Sequence, residues 1–455
     1  MDIRLVTAIA AGKSVKLVLT VFQSGGTAAP GLITQTIDKN ALKKISPGFK
    51  QGVILISGTN GKTTTARLLT NALTNQGYTF LANSAGSNLK RGIISVLLEQ
   101  VNLAGRPRRK IDFGVFECDE MALIEIAKEI KPRLILLTNL FRDQLDRYGE
   151  VETIRKKWLE LIRSLPNETK VILNADDPGI RSLADYLDEK RIFFYGIGFN
   201  PNRQNDSIIS DFSRCPNCGA SLYYQTEFFS HLGDYVCSKC GLARPKLDLS
   251  AVAIENEKIE IAYRGRIEKI TTPLKGFYNV YNLLAAFSIG LNLKIDFDQI
   301  QKSLEKFKPA FGRQEIIKFD SKELFISLAK NPVGLTETIK TISADPGKKT
   351  LIFLLNDKIA DGVDVSWIWD VNFNSIKDQA ETIIFNGRRP YDMGLRLKYA
   401  DLENKPRFIF CRNLNEVFKN LAEIKIERVY IFPTYTALMD LKKFLARRGY
   451  EKFWA

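Results

Sequence analysis

The residues whose types and spacing most directly imply chemistry are Gly58, Thr59, Asn60, Gly61, Lys62, Thr63 and Thr64. Glycines let a backbone turn so that successive N–H groups converge on one point, and the positive end of a following helix adds attraction for an anion. In that setting Lys62 can reach the β- and γ-phosphates of ATP, and the Thr63 hydroxyl can ligate Mg²⁺. The spacing is not that of the standard phosphate loop, because Ile56 stands where that pattern has its first glycine. A plain Gly-rich turn is therefore the competing reading. Context favours the phosphate loop: residues 52–57 read as a buried strand of a parallel sheet, and a helical pattern runs from Thr63 to about Gln76.

The second chemical signal is a set of four cysteines. Cys215 and Cys218 form one CxxC pair, Cys237 and Cys240 another, and 18 residues separate them. Each pair can offer two thiolates to one ion, so two pairs complete a tetrahedral S₄ site, and the spacing lies in the zinc-ribbon range. All four positions are filled by protein, which predicts a structural Zn²⁺ rather than a catalytic one. A redox pair or an iron site is the rival. Tyr223, Tyr224, Phe228, Phe229 and Tyr235 lie in the same segment and read as the ribbon's own small core; contact with nucleic acid is the alternative. Cys118 and Cys411 are left over and read as buried thiols.

His231 is the one histidine in the chain, and it falls inside the cysteine segment. General acid–base work by histidine elsewhere is thereby excluded. The net charge of +15 predicts attraction to polyanions, or else a generally basic surface. No run of 18 uncharged apolar residues occurs and no secretory signal is evident, which predicts a cytoplasmic protein without a transmembrane helix.

These residues need elements to hold them. Residues 13–24 read as a helix or a strand leading into Gly-Gly and Pro-Gly turns. Strands are expected at 52–57, 113–117, 134–138 and 171–174, with a helix over 151–164. Such alternation argues for a doubly wound α/β domain. Residues 200–250 break the rhythm as an insertion, strand-like 251–272 follows, and a helix lies near 279–292. Apolar runs at 351–356, 381–386, 407–411 and 428–433 predict a second sheet of parallel type. The expected domains are residues 1–315, binding ATP and containing the ribbon at 205–250, and residues 316–455.

The loop variant at 58–64 resembles the ATP loop of the Mur ligases and folylpolyglutamate synthases, which phosphorylate a carboxylate and let an amine displace the phosphate. Further segments resemble that superfamily in order. Residues 83–88 resemble the stretch after the loop helix. Glu117 ends a predicted strand as the family's Mg²⁺-binding glutamate does; read alone it is a solvated strand-end carboxylate. Thr138 and Asn139 with residues 143–146, then residues 174–178, resemble further family motifs. Asn279 and Asn282 match its nucleotide-contacting element, and Arg313 matches the arginine that meets ATP near the hinge. The resemblance thus implies a Mur ligase-type central domain with an inserted four-Cys ribbon and a C-terminal Rossmann-like domain.

Three departures from the amino-acid-adding ligases stand out. Gln144 replaces a metal-binding histidine. Trp158 falls near the position of the carbamylated lysine, with Lys156 or Lys157 as possible substitutes. Residues 327–332 lack the Asp and His of the family's entry to its last domain. Residues 331–334, the acidic segment 360–370 and residues 433–437, together with the ribbon, resemble the MurT family, the synthetase subunits of lipid II isoglutaminyl synthases. Read by composition alone, 356–370 is an acidic loop closed by two tryptophans.

That resemblance implies a ligase of peptidoglycan biosynthesis, converting the α-carboxylate of D-glutamate in lipid II to the amide. It implies ATP, Mg²⁺ and Zn²⁺, a GatD-type glutaminase partner supplying ammonia, and peripheral contact with the inner membrane face rather than nucleic acid. It also implies that Asp364, or alternatively Asp361, completes the partner's Cys-His pair. The rival functions are a Mur-type amino-acid ligase and a zinc-ribbon nucleic-acid-binding ATPase.

Overall fold

The computed structural model describes all residues except 1, 22–27, 47, 84–86, 143–150, 202–211, 256, 306, 308–311, 404, 427 and 451–455. Its first sheet is built from β1 (Gly52–Ser57), β2 (Phe80–Ala82), β3 (Phe113–Glu117), β4 (Leu134–Leu137), β5 (Lys170–Asn174), β6 (Ile192–Ile197), β9 (Leu249–Glu255), β10 (Lys258–Tyr263) and β11 (Arg266–Thr271). Their order is β11-β10-β9-β6-β5-β4-β1-β3-β2. From β9 to β2 all pairings are parallel, and β10 and β11 extend the edge antiparallel. The strand-like segment 251–272 is therefore an edge meander on the parallel sheet.

Alternation along β1 divides the core between the two faces. Ile54 and Ile56 pack with Leu69 and Leu73 of helix Lys62–Asn75 and with Leu284 of helix Tyr278–Asn292. Val53 and Leu55 pack on the opposite face with Leu97 of helix Lys90–Gln100 and Trp158 of helix Val151–Ser164. Both faces are thus covered, which is why the central strands read as continuous apolar runs. Residues 13–21 belong to a long helix, Ile3–Val21, rather than to a strand.

The second sheet contains β12 (Arg313–Phe319), β13 (Lys322–Ser327), β14 (Lys349–Leu355), β15 (Ala380–Gly387), β16 (Arg407–Phe410) and β17 (Arg428–Pro433), in the order β12-β13-β17-β14-β15-β16. It is parallel apart from the antiparallel β12–β13 hairpin. Every residue of β14 is buried, with Phe353 facing one core and Ile352 the other. Arg313 is the first residue of this sheet, so it reaches the site from the second domain's side.

The inserted segment forms a two-stranded antiparallel ribbon, β7 (Tyr223–Phe229) with β8 (Leu232–Val236). Its aromatics do not form one small core. Tyr235 packs among Cys215, Cys237 and Leu242, and Tyr224 lies against it. Phe228 and Phe229 instead join the core of the first domain, and Tyr223 is exposed. The physical reason is that β7 runs back to the body as it ends, so its last two side chains meet the larger apolar surface.

Candidate active site and four-cysteine centre

β1 lies where the connections reverse direction, between β3 and β4, and clefts at the C-terminal ends of parallel strands form at such points. Residues 58–61 leave β1 there and lead into helix Lys62–Asn75. Gly58 and Gly61 have φ of 133° and 90°. A Cβ on Gly58 would strike Thr138 and Asn139, and one on Gly61 would strike Asn282, so conformation and space both require glycine.

Thr138 and Asn139, at the end of β4, fix the loop from below. Asn139 Oδ1 accepts from Asn60 N at 2.8 Å, and Thr138 Oγ1 donates to Asn60 O at 2.8 Å. Thr59 Oγ1 donates to Phe141 O at 3.0 Å and accepts from Phe141 N at 2.9 Å. With Thr59 N donating to Asn139 O at 3.0 Å, both the Thr59 and Asn60 amides are engaged by Asn139, which pins the loop to the end of β4.

Lys62 is buried, and its Nζ donates to Gly58 O and to Thr59 O at 3.2 Å. It also lies 3.4 Å from Glu120 Oε1. Thr63 Oγ1 donates to Glu117 Oε2 at 2.7 Å. Asn83, two strands away in sequence, exchanges two hydrogen bonds of 2.9 Å with the Glu117 backbone and so fixes where that carboxylate starts. Burial pushes the Glu117 carboxyl up, opposed by the Thr63 hydroxyl and by the charges of Lys62 and Arg313. The Thr63–Glu117 oxygen pair has the hard-donor chemistry that suits Mg²⁺.

The cleft above the loop is lined by both domains. Asn279, Asn282 and Arg313 line it, as does Asn60, Gly61, Thr63 and Thr64. Several other lining residues lie in segments the sequence singles out, without their place in the cleft being legible there. Asn331 caps helix Pro332–Ser343 through Gly334 N at 2.8 Å, and its Nδ2 donates to Asn60 Oδ1 at 2.9 Å, joining the two domains across the cleft. The Asn-Pro pair is a helix-start signal that could have found it. Gln314, at φ 55°, donates to Tyr278 OH at 2.6 Å and to Lys275 O at 2.7 Å. Phe229 reaches the cleft from the ribbon, stacked at 5.8 Å on Phe141.

The segment 174–178 ties the ribbon to the loop. Asp176 accepts from Arg244 Nε at 2.6 Å, Tyr281 OH at 2.8 Å and Ile197 N at 2.8 Å. Asp177 accepts from Leu140 N at 2.8 Å and lies 3.2 Å from His231 Nε2. His231 is wholly buried between Phe141 and Phe212, with ring centroids at 4.7 and 5.1 Å. It serves as a packing group at the end of the ribbon hairpin.

In the ribbon, the Sγ atoms of Cys215, Cys218, Cys237 and Cys240 all lie within 4.8 Å of one another. The closest pairs are 3.5 and 3.6 Å apart. Four sulfurs at Zn–S distances of about 2.3 Å would sit roughly 3.8 Å apart, so the donor set and its spacing fit Zn²⁺. Each knuckle is a tight turn, with Gly219 N donating to Cys215 O at 2.9 Å and Gly241 N to Cys237 O at 3.0 Å. Backbone N–H groups of Cys240 and Lys239 pull the Cys237 thiol down to about 6, despite burial. Cys118 and Cys411 are buried away from this group, and burial raises both thiols.

Other expected positions are more scattered. Gln144 and its neighbours 143–146 lie outside the described residues, as do 84–86 and 309–311. Lys156 and Lys157 are exposed, while Trp158 is buried with Nε1 donating to Glu120 O at 2.7 Å. Neither lysine shares the Trp158 face that meets Glu120. In the second domain Asp361 is buried and accepts from Thr436 N and Oγ1, both at 2.6 Å. Asp364 is exposed, and its two oxygens accept from Ser366 N at 2.8 Å and Ser366 Oγ at 2.9 Å.

Comparisons with known proteins agree with this architecture. The Mur ligase middle domain family matches residues 56–231, and the MurT ligase C-terminal family matches residues 328–438. The MurT subunit of a lipid II isoglutaminyl synthase (glutamine-hydrolyzing) from Streptococcus pneumoniae is 32% identical over 457 residues, covering 98% of each chain. Its namesake from Staphylococcus aureus strain N315 is 32% identical over 93% of each. Among solved structures, a pseudomurein peptide ligase type C from Methanothermus fervidus shares the fold with a TM-score of 0.68 at 22% identity, covering 89% of this chain and 80% of that one. MurF from Thermotoga maritima, solved with ADP, has a TM-score of 0.63 at 14% identity, over 91% and 85% of the two chains. Covered almost end to end by such relatives and matched by both the Mur ligase middle-domain and MurT C-terminal families, this chain belongs to the MurT family of ATP-dependent Mur-type ligases.

Proposed function

We propose that the protein amidates the α-carboxylate of D-glutamate in lipid II, using ATP and ammonia delivered by a GatD-type glutaminase subunit. The observation that carries this reading is the cleft between the domains, where Thr63, hydrogen-bonded to Glu117, lines the same space as Asn279, Asn282 and Arg313, with Lys62 and Arg313 both close enough for their charges to act on Glu117. Relatives of nearly the same length are named as subunits of an enzyme making that amide.

In this reading the loop amides and Lys62 bind the triphosphate, and Asn279 and Asn282 border the nucleotide. Mg²⁺, held by Thr63 and Glu117, would supply charge neutralisation at the phosphates. The substrate carboxylate oxygen attacks the γ-phosphorus as the bond to ADP breaks, assisted by positioning and by the charge of Arg313. Ammonia then adds to the acyl carbon, phosphate leaves, and the nitrogen loses a proton to give the amide. Both domains contribute to the cleft, so the Asn60–Asn331 bond couples nucleotide seating to domain closure.

The direct test supplies purified chain with ATP, a lipid II muropeptide and either ammonium chloride or free amino acids. Ammonium should give the amide, in which NH2 replaces OH so that the product is slightly lighter than the acid by mass spectrometry, with phosphate released in step. Product only with an amino acid would instead make the chain an amino-acid-adding ligase.

The cysteine centre is proposed to hold one structural Zn²⁺. Elemental analysis should find about one zinc per chain, and Cys218→Ser or chelation should lower Tm markedly, since structural zinc contributes folding free energy directly. A chain purified without zinc and with unchanged Tm would remove the metal from the account.

A further inference from the structure

The second half of helix Ile3–Val21 differs from the first. Gly12 is its last buried residue, although Val15, Leu17, Val18, Leu19 and Val21 follow. Leu17, Val18 and Val21 are 66%, 53% and 69% exposed. The packing explains why. Gly12 lies against Pro30 and Thr34 of the antiparallel helix Ala29–Ile37, which itself begins at Ala29, so the final turns of the first helix overhang the body. Leu32 and Ile33 on the neighbouring helix are exposed as well. Lys13, Lys16 and Thr20 share the side of these turns that meets Val101 and Glu99, while Leu17, Val18 and Val21 lie on the exposed remainder, and an exposed apolar helix face beside a cationic one is the pattern of a helix that lies on a membrane surface.

Cations gather at the base of this overhang. Lys13 donates to Val101 O, and Lys16 pairs with Glu99. Arg108 and Lys16 lie close enough that their charges, after burial, help pull the Lys13 ammonium down. Arg106, Arg109 and Lys110 are exposed in the same segment as Arg108. An apolar helix end above a belt of Lys and Arg fits a bilayer, whose acyl region takes the apolar turns while anionic headgroups meet the cations. The same belt would repel its own image on a second copy of the chain.

We propose that the overhanging turns, residues 13–21, with the cation belt of Lys13, Lys16 and Arg108, dock the protein on an anionic membrane surface. For its purpose this rests on the lipid-linked substrate proposed above; the binding itself needs neither substrate nor ATP.

The test sediments full-length chain with vesicles of mixed phosphatidylglycerol and phosphatidylcholine, and with phosphatidylcholine alone, at low and high salt. The chain should bind the mixed vesicles, with binding weakened by salt. Leu17→Asp with Val21→Asp should reduce binding at least about tenfold. Lys13→Gln with Lys16→Gln should remove the preference for phosphatidylglycerol. Leu17 and Val21 are 66% and 69% exposed and the two lysines are partly exposed, and unchanged Tm would verify folding. Equal pelleting of the Asp variant and the parent, or no pelleting of the parent, overturns the proposal. Concentration-dependent dimerisation lost in the Asp variant, without vesicle binding, would assign the surface to a second copy and also overturn it. Turnover of a lipid-free muropeptide by the same proteins separates the two readings: turnover without vesicle binding sinks only the docking surface, and vesicle binding without turnover sinks only the ligase reading.

Discussion

Lys62→Ala is expected to lower amide formation by on the order of 10³-fold or more, because in the proposed reading the ammonium it removes meets the charge that builds on the transferred phosphoryl group. A weaker effect would mean that the loop amides alone seat the nucleotide. The substitution has a structural cost as well, since Lys62 and Glu120 are both buried and lie 3.4 Å apart. Removing the cation would leave the Glu120 carboxylate without this partner in a low-dielectric site, and breaking a buried pair from one side costs about 3–5 kcal/mol. A loss of activity could then reflect a loosened loop rather than lost chemistry. The double variant Lys62→Met with Glu120→Gln separates these, because it keeps the apolar stem and removes both charges. It should recover Tm and remain inactive in the phosphate-release assay. Recovery of turnover together with stability would show that Lys62 acts by holding Glu120 and the loop, and the assignment of 58–64 as the ATP loop would lose its central residue.

The parts of this site that were legible in the sequence are those carried by short contiguous signals. β1, β3, β4 and β5 are buried on both faces, and so appear as uninterrupted apolar runs. The loop after β1 announces itself by two glycines and a Gly-Lys-Thr, and the ribbon by two CxxC pairs. What was not legible depends on pairing across distance. Asn60 and Asn331 are 271 residues apart, and no local pattern links them. Asn83 fixes Glu117 through backbone bonds, which leave no trace in side-chain spacing.

The ribbon's aromatics were misassigned for a related reason. Phe228 and Tyr235 are the same kind of residue in the same short sheet, yet one faces the first domain and the other the thiols. Only the direction in which β7 returns to the body decides between them. Helix Ile3–Val21 was ambiguous because its two halves differ: the first buries Leu5, Ala8 and Ile9 in the body, while the second leaves Leu17, Val18 and Val21 exposed, so no one periodic pattern runs through both.

Asp364→Asn is expected to cut glutamine-dependent amidation by on the order of 10⁴-fold in the complex with the glutaminase, the loss typical when an orienting aspartate of a nucleophile–histidine pair becomes an amide. Amidation from ammonium chloride should be unchanged. The two aspartates of the loop differ in what their surroundings leave them to do. Both oxygens of Asp361 are taken up inside the domain, by Thr436 N, Thr436 Oγ1 and Lys358 N. Asp364 is exposed and, among the described residues, steadied by Ser366 two residues on, so a lone pair on each oxygen remains for an incoming histidine N–H. Ile359, Val363 and Trp369, close to it in sequence, are 83%, 56% and 46% exposed, apolar surface suited to a protein partner. Asp361→Asn should behave oppositely, lowering Tm by loosening the 433–437 segment and depressing both nitrogen sources together. If Asp364→Asn impaired both sources equally, the carboxylate would be serving this chain's own fold or cleft. If it impaired neither, the partner would carry its own acid, and the separation of nitrogen release from carboxylate activation would run along a different boundary between the two subunits.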